Sequence, residues 1–404
     1  MMLVRENVNQ TRRHVQQYDV VIIGAGPVGL CCAASFERSH LRVAIIDQQP
    51  LTSIAEPDQD GRDIALTFSS QQQLNDLGIW QHIPIEQISH IKKARVIDGS
   101  SSYSLEFDCG DAKSDKLGYL ISNHLIRKAA YDKVQTMQNL TFFLEQSANV
   151  VSTSESQVLI DTSAGHQIEA QVVFAADGRF SSLRRNAGIS TRSLEYGHVA
   201  IVCRMEHEKP HLGIAHECFL YGGTLAVLPL IGNSSSIIIT VPANKASDII
   251  SLSDKQLSQY VQQRFGHKLG DMTLKGKRYH YPLIGVYADK FVHDRLALLG
   301  DAAVGMHPVT AHGFNLGLKG QKSLCELVVS AQRAGKDIGS IQILNRYHHK
   351  HNRDCRLMYL GTNAIVRLFT HEHHASKIIR KMVLRVGNVF SPAKRLIMKQ
   401  LTHI

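Results

Sequence analysis

The chain has 404 residues, of which 44% are hydrophobic and 20% are charged, enough to bury a large core, and its formal net charge at pH 7 is +10. No apolar run approaches the roughly 18 residues that a membrane-spanning helix requires. The seven cysteines show no C-x-x-C spacing, which argues against structural zinc and a disulfide framework and favours a reducing cytoplasm.

The chain opens with a polar segment, residues 1–17, that includes Arg12 and Arg13 and lacks the apolar centre of a signal peptide. We predict a flexible extension for this segment. The folded part is therefore expected to begin at residue 18.

The first motif is a glycine-rich turn between a predicted strand and a predicted helix. An apolar, β-branched run over residues 18–23 leads into Gly24-Ala25-Gly26-Pro27-Val28-Gly29, and a helix-compatible segment follows. Gly24 permits the turn, Gly26 lets the backbone approach a pyrophosphate, and Gly29 lets helix and strand pack closely. The amides at the helix N-terminus then face the phosphates. A lone glycine-rich turn also occurs in ordinary α/β proteins.

A second predicted strand, residues 41–46, ends at Asp47. A carboxylate at this position accepts hydrogen bonds from an adenosine ribose and disfavours a 2′-phosphate. The two strands and Asp47 favour a dinucleotide site over an ordinary turn, but they leave the kind of dinucleotide open.

The substrate-binding part is predicted from a change of pattern in the middle of the chain. Residues 199–205, 216–221, 224–230 and 236–241 form short strand-like runs separated by Gly, Asn and Ser turns. We expect an antiparallel sheet above the cofactor, with an apolar substrate pocket on its inner face. The alternative is that these alternating apolar residues are plain core.

The kind of dinucleotide is indicated by a buried-strand pattern over residues 296–303 that delivers Gly300 and Asp301. A nicotinamide dehydrogenase has no need of this carboxylate, whereas the ribityl hydroxyls of a flavin do. Gly313-Phe314-Asn315 then begins a helix whose amides and dipole face the flavin pyrimidine edge. We therefore predict FAD, the alternative for Asp301 being a plain strand-end or N-cap residue.

The C-terminal region carries the excess positive charge. Residues 345–404 hold twelve of the 45 Lys and Arg residues and two of the 35 Asp and Glu residues, so the rest of the chain is balanced. Apolar residues recur there at helical spacing: Leu357, Leu360, Ala364, Ile365, Leu368 and Phe369, then Ile378, Ile379, Met382, Val383, Val386 and Phe390. Such a basic amphipathic helix fits an anionic membrane face or a lipid-handling complex. The alternative is a helical cap that packs its stripe on the domain.

Two other interpretations of the charged residues are disfavoured. Nucleic acid is not expected as a partner, because the basic residues are not interleaved with stacking aromatics. His348-His349-Lys350-His351 and His371-Glu372-His373-His374 match no standard metal site, so we predict surface histidines and no metal.

Taken together, these motifs resemble the class A FAD-dependent aromatic monooxygenases and, within them, the ubiquinone-biosynthesis (Ubi) hydroxylases. The matching segments cover almost the whole chain from about residue 18: the glycine turn, 61–66, 121–127, 175–184, 223–230, 281–283 and the block at Gly300-Asp301.

The resemblance and the strand pattern imply an α/β fold with a Rossmann-like FAD-binding domain of the para-hydroxybenzoate hydroxylase type. This domain is assigned to residues 18–90, 109–190 and 290–345. The inserted antiparallel-sheet substrate domain takes residues 91–108 and 191–289, and basic C-terminal helices take residues 346–404.

The resemblance also implies roles for individual residues. Asp177 is placed near the cofactor pyrophosphates or the reductant, Arg62 near the pyrophosphate or the flavin ring, and Arg127 and Val150 near FAD. Pro308 and His307 flank the ring. This chain departs from the family at Thr310-Ala311-His312-Gly313, where relatives commonly have Ala-Gly-Gln-Gly, and at Gly320-Gln321, where they commonly have Asp-Ala or Asp-Val. His307 and His312 are the candidate catalytic bases for a phenol.

The implied activity is hydroxylation of an aromatic ring with NAD(P)H and dioxygen, most simply on a polyprenyl phenol or quinol intermediate of ubiquinone biosynthesis. NADH or NADPH visits transiently, because the sequence has no second glycine turn for it. The alternatives are a monooxygenase that inactivates a xenobiotic phenol or antibiotic, a flavin-dependent isoprenoid reductase, and a non-catalytic flavoprotein scaffold. We expect a cytoplasmic protein, peripheral on the inner membrane face or bound to a quinone-biosynthesis complex, and leave its oligomeric state open.

Overall fold

The computed structural model describes residues 15–99, 104–112, 114–220, 222–308 and 312–370. Its strands are β1 Val15–Ile23, β2 Val43–Ile46, β3 Asp63–Leu66, β4 Ser89–Ile91, β5 Lys93–Asp98, β6 Ser104–Asp108, β7 Gly118–Ser122, β8 Leu140–Phe143, β9 Ala148–Thr153, β10 Val158–Thr162, β11 Gln167–Ala175, β12 Thr191–His207, β13 Ile214–Leu220, β14 Gly223–Pro229, β15 Ser234–Pro242, β16 Met272–Ala288, β17 Val292–His293, β18 Leu296–Leu298 and β19 Val304–Gly305. Its α-helices are α1 Pro27–Ala34, α2 Leu51–Ala55, α3 Phe68–Asp76, α4 Asn123–Val134, α5 Ser182–Asn186, α6 Ala243–Ile250, α7 Asp254–Phe265, α8 Gly313–Arg333 and α9 Ile341–Thr370.

The first sheet has a parallel centre, with the strand order β18-β11-β1-β2-β8. Its central strands are almost continuously apolar, because α1, α4, α8 and α9 contribute to the same core and cover them. The antiparallel strands β10 and β9 extend from β11, and β17 pairs with β18. The carboxyl ends of the parallel strands meet at one edge, which is where ligands bind in open α/β sheets.

The first strand begins earlier than the sequence predicted. Residues 15–17 were assigned to a flexible extension, but Val15, Gln16 and Gln17 pair in register with β11. Parallel pairing supplies their backbone hydrogen-bond partners, so their polar side chains do not prevent strand formation. The remaining residues of that extension, 1–14, lie outside the described residues.

The second sheet has the order β19-β16-β12-β15-β14-β13-β5-β6 and contains the strands of the predicted substrate domain. The predicted antiparallel sheet is present, but one pairing is different, since β13 runs parallel to β5. The strands β5 and β6 come from a distant part of the chain, which allows the parallel alignment. One face of the sheet packs against α6 and α7, two helices that the sequence analysis did not assign.

A long two-stranded ribbon ties the two sheets together. β12 and β16 pair from Thr191 with Ala288 at one end to His207 with Met272 at the other. The register shifts between Glu195 and Val199 and again between Val202 and Arg204. A small third sheet, β3-β7-β4, lies between the main layers. Within the described ranges, none of the helices combines the length and the apolar character that crossing a membrane demands.

Candidate cofactor and substrate site

The glycine turn after β1 is built by close backbone contacts. Gly24 has φ +110°, and a Cβ there would lie 2.4 Å from the carbonyl oxygen of Ala176. A Cβ on Gly29 would lie 2.0 Å from the carbonyl oxygen of Gly24. Both positions therefore exclude any side chain, whereas a Cβ on Gly26 would have no neighbour within 4 Å. The turn is therefore tightly packed at Gly24 and Gly29, and it leaves open space at Gly26, beside the N-terminus of α1.

Asp47 lies at the end of β2 and joins this turn. Its Oδ2 accepts a hydrogen bond from the Ala25 amide at 2.6 Å, and its Oδ1 accepts one from the Gln49 amide at 2.8 Å. The carboxylate is therefore oriented by the backbone beside the open mouth of the turn. Pro27 stands in the first turn of α1, where its missing N–H costs nothing, and Val28 packs below the turn.

The ends of β11 and β18 bring Asp177 and Asp301 to the same edge of the sheet. Asp177 Oδ2 accepts from the Ser182 amide at 2.9 Å, while its Oδ1 is buried and has no hydrogen-bond partner among the described residues. Asp301 is partly exposed and pairs with Arg179, with 3.1 Å between Oδ2 and Nη2. The sequence analysis expected a buried Asp301, and the structure instead leaves one side of this carboxylate open.

Helix α8 is held close to α1 through glycine. A Cβ on Gly317 would lie 2.8 Å from Val28 Cγ2 and 3.5 Å from the Cα of Gly300. Neither α1 nor α8 has a side-chain cap at its N-terminus, and Gly313, like Gly26, has open space where a Cβ would be. Two helix N-termini without a side-chain cap therefore lie beside open space at Gly26 and Gly313, which is an environment that stabilises anionic groups.

These features fit FAD. The open space at Gly26 accommodates a pyrophosphate against α1, and Asp47 lies where it can receive the adenosine ribose. Asp301 is available to the ribityl chain, and the amides of α8 can face the flavin pyrimidine edge. The orphaned Oδ1 of Asp177 is a buried acceptor that a bound polar group would satisfy.

Other predicted cofactor residues are already engaged with protein groups. The side chain of Asn315 donates to Ala65 O at 2.8 Å and accepts from the Thr67 amide at 3.2 Å, so it fixes the start of α8 against the segment after β3. Arg62 is paired with Asp60 at 2.5 Å. Arg127 donates to Gln49 Oε1 and to Ser53 O, both at 3.3 Å, which places it near the Asp47 end of the site.

Three further predicted residues lie at the margins of this arrangement. Val150 is opposite Ile160 in the β9–β10 pair and packs on the core. Phe314 is also partly buried against the core, and Pro308 is exposed. Their roles toward FAD stay predictions.

The pocket beside His307 lies under the inner face of the second sheet. Strands β12 to β15 supply His198, Phe219, Gly223, Thr224 and Thr240, while Val366 of α9 closes the other side. The ring of Tyr196 contacts the His307 ring edge to face, with 4.7 Å between centroids, and the Tyr196 hydroxyl donates to Asn363 Oδ1 at 2.5 Å. The pocket is small, and the surface that it exposes is mostly apolar.

The electrostatics of this pocket keep His307 neutral. Burial, together with the nearby His198 and Arg179, lowers the pKa of His307 to about 4. Burial also raises the pKa of Tyr196 to about 12. At neutral pH the imidazole therefore has one nitrogen that can accept a proton, and the phenol of Tyr196 stays protonated.

His312 lines a different pocket. It is buried at the N-cap of α8, and its neighbours include Thr67, Ser70, Gln73, Lys319 and Met358. The two candidate bases of the sequence analysis are thus divided between two pockets. Residues 309–311 between them lie outside the described part of the chain.

Two polar groups, Glu217 and Asp63, were not predicted from the sequence. The carboxyl of Glu217 lies on the same side of β13 as Phe219 and is hydrogen-bonded to Thr224, and burial raises its pKa to about 8. The side chain of Asp63 in β3 is fully buried, and its Oδ1 lies 2.7 Å from Nη2 of Arg204 in β12. The Asp63–Arg204 pair leaves no local motif, because β3 and β12 are distant in sequence, whereas Glu217 and Thr224 lie on the consecutive strands β13 and β14.

Helix α9 corrects the expectation of surface histidines. His351 is buried in the space left by Gly320, stacked on Tyr347 with 5.5 Å between ring centroids. Burial lowers its pKa to about 4. His348 is half-buried and accepts a hydrogen bond from the Phe291 amide, whereas His349 is exposed. Residues 371–374 lie outside the described residues. In the part of the chain that the structure describes, no group of three or more His, Cys, Asp or Glu side chains is placed to hold a metal ion.

Comparison with known proteins gives a consistent result. The model of the FAD binding domain family matches residues 17–356. The ubiquinone hydroxylase UbiM of Neisseria meningitidis is 42% identical over 95% of this chain and 84% of that protein. UbiL of Rhodospirillum rubrum, also a ubiquinone hydroxylase, is 34% identical over 94% of this chain and 88% of its own.

A solved structure supports the fold alone. The p-nitrophenol 4-monooxygenase PnpA of Pseudomonas putida superimposes with a TM-score of 0.77 at 16% identity, covering 96% of this chain and 99% of that chain.

Proposed function

This chain belongs to the FAD binding domain family of flavin-dependent hydroxylases, and from this premise we propose that it hydroxylates a polyprenyl phenol or quinol intermediate of ubiquinone biosynthesis. The observation that carries the proposal is the near full-length similarity to two ubiquinone hydroxylases. The mostly apolar surface of the pocket beside His307 supports it, because an aromatic substrate requires apolar contacts.

FAD is the cofactor; when bound and reduced by NADH or NADPH, it would activate dioxygen, of which one oxygen atom is transferred to the ring and the other leaves as water. The α1 N-terminus would hold the pyrophosphate, Asp47 the ribose, Asp301 the ribityl chain and the α8 amides the pyrimidine edge. Among the residues that the structure describes, no glycine turn other than that at Gly24 joins a strand to a helix in a way that suits a nicotinamide cofactor, so we propose that NAD(P)H visits without a dedicated domain.

The chain's own residues position the substrate and control its proton. The inner face of the second sheet and Val366 exclude water from the ring. His307 is neutral and lines this pocket, so we propose that it, rather than His312, accepts a hydrogen bond from the substrate phenol. This hydrogen bond would raise electron density on the ring, which favours attack on an electrophilic oxygen.

A lipophilic substrate is concentrated in lipid. We therefore also propose that the enzyme works peripherally at a membrane face, with a membrane or a quinone-biosynthesis complex as its partner.

The test is an oxygen-consumption assay on the purified FAD-loaded protein with a short-chain demethoxyubiquinol analogue. We expect NAD(P)H oxidation, oxygen uptake and hydroxylated product in equal amounts. Turnover without oxygen would instead indicate an isoprenoid reductase. Bound FAD with no stimulation by any phenol would indicate a scaffold.

A second experiment addresses the physiological substrate. Deletion of the gene in its native host should cause a precursor lacking one hydroxyl to accumulate, and mass spectrometry would identify the ring position. An unchanged quinone profile would overturn the proposed pathway and favour a xenobiotic phenol or an antibiotic as the substrate.

A further inference from the structure

Helix α9 has an inner face that is fixed to the rest of the molecule. Cys355, Thr362 and Val366 are buried on this face, and Asn363 accepts the hydrogen bond from Tyr196. Val366 also lines the pocket that contains His307. The rotation of the helix about its axis is thereby set by contacts near the candidate site.

The outer face of α9 is apolar and exposed. The side chains of Leu357, Leu360 and Ile365 are 64%, 57% and 40% exposed, and Gly361 and Ala364 between them are also exposed. This spacing of three and four residues forms one continuous stripe on the helix. The stripe that the sequence analysis assigned either to a membrane or to a packed cap is therefore turned away from the domain over these residues.

Basic side chains border this stripe. Arg353, Arg356 and Arg367 are exposed on the same helix, and the nearby Asp354 is already paired with Lys319 at 2.8 Å. An exposed apolar stripe with arginines on its edges is the pattern of a helix that lies in the interface of a membrane.

We propose that this outer face of α9 is a docking surface for a bilayer that contains anionic phospholipid. The arginines would contact lipid phosphates, and the leucines and isoleucine would enter the acyl boundary. The proposal deepens the proposed function and rests on it in one respect, since the substrate is taken to be lipophilic. The pocket would then lie one helix diameter, about 10 Å, from the lipid.

Charge disfavours two other occupants of the stripe. A second copy of the chain, joined by a two-fold axis, would place the same arginines against each other. Residues 371–404 carry seven Lys and Arg and one Asp or Glu, so they would also bring positive charge to a positive surface. Anionic lipid is the partner whose charge is complementary.

The experiment is vesicle flotation with the full-length, FAD-loaded protein, without substrate or reductant. Vesicles of phosphatidylcholine with one quarter phosphatidylglycerol are compared with phosphatidylcholine alone. We expect binding to the first, at least tenfold weaker binding to the second, and loss of binding as salt is raised. The triple variant Leu357→Ser, Leu360→Ser, Ile365→Ser should bind at least tenfold more weakly than the wild type.

A matched control uses exposed apolar residues elsewhere. Ile85 and Leu212 are 83% and 70% exposed, and the double variant Ile85→Ser, Leu212→Ser should bind vesicles like the wild type. FAD content and melting temperature, measured on all variants, establish that they are folded.

Three outcomes would overturn the proposal. The first is equal vesicle binding by the triple variant and the wild type. The second is a wild type that is a dimer and a triple variant that is a monomer, with no change in lipid binding. The third is stronger vesicle binding after deletion of residues 371–404. Because vesicle binding is measured without turnover, its failure leaves hydroxylation of the water-soluble analogue intact. If the protein binds vesicles but does not hydroxylate the analogue, only the proposed activity is refuted.

Discussion

The parallel sheet around β1 and the mixed sheet around β12 both border the candidate site, but they contribute through different parts of the chain. At the parallel sheet the contributions are backbone features at strand ends, such as the turn of Gly24 and Gly29. At the mixed sheet they are side chains from strands distant in sequence, such as His198, Thr224 and Thr240. A site built from backbone geometry restricts which residue types can occur, so it leaves a recognisable motif in the sequence. A pocket lined by side chains restricts only the shape of the space that they enclose, so it leaves no motif.

The largest expected effect tests this restriction at the glycine turn. Gly29→Ala places a Cβ against backbone that cannot move aside, so we expect a loss of stability on the order of 3 kcal/mol or more and no FAD binding. Gly26→Ala, the matched control, should fold normally and bind FAD about tenfold or more weakly, because its Cβ enters open space. Flavin absorbance per protein and the melting temperature of the apoprotein measure both. Stoichiometric FAD in Gly29→Ala would contradict the comparison.

The next effect concerns the ion pair that joins the layers. Arg204→Met removes the partner of the fully buried Asp63 carboxylate, and we expect a loss of about 3 kcal/mol in the free energy of unfolding. Adding Asp63→Asn should recover part of that loss. Lys93→Met breaks the exposed pair with Asp108 in the same sheet and should change stability little. Equal losses in the two single variants, from denaturant unfolding, would show that the buried pair does not stabilise the contact between layers.

His307 tests whether the pocket residue performs chemistry. With a pKa of about 4, the group stays neutral at physiological pH and becomes protonated only as pH falls toward 4. We expect kcat/KM to fall on the acid side as this happens, and His307→Ala to remove that limb and lower kcat about 100-fold. His312→Ala should retain the limb, because His312 lines the other pocket. A wild-type pH profile in His307→Ala would remove the assignment.

The smallest effect concerns Glu217 on the mixed sheet. Its pKa of about 8 in the folded chain lies above the ordinary value of 4.5, so the folded chain keeps a proton that the unfolded chain releases. The contribution of Glu217 to the free energy of unfolding should therefore be greatest below about pH 4.5 and should decline as the pH rises toward 8. Glu217→Gln should flatten this decline in melting temperature. Parallel curves for wild type and variant would exclude a shifted Glu217.

The sequence predicted most of what the backbone dictates. The strand before Gly24, the position of Asp47 at the end of β2 and the α8 start at Gly313 all follow from local pattern. The parallel pairing of β5 with β13 and the Asp63–Arg204 pair depend on which distant strands meet, and nothing local encodes that.

Histidine burial shows the same limit. His348-His349-Lys350-His351 looked uniformly polar, but α9 turns His351 toward Gly320 while His349 faces solvent. The absence of a side chain at Gly320, on another helix, creates that space. Helical periodicity gives the angle between residues on α9 but not which of them faces the core.

The ribbon of β12 and β16 has a mechanical consequence. Because β12 and β16 extend as a pair from the core of the first sheet across the second, sliding of one layer past the other would break hydrogen bonds of their ladder. Any widening of the pocket must therefore bend this ribbon. The bending would be concentrated at the two register shifts, after Glu195 and after Val202, where the pairing is already interrupted. The aromatic ring would then enter and leave the pocket as the β12–β16 ribbon bends, and not as a loop opens and closes.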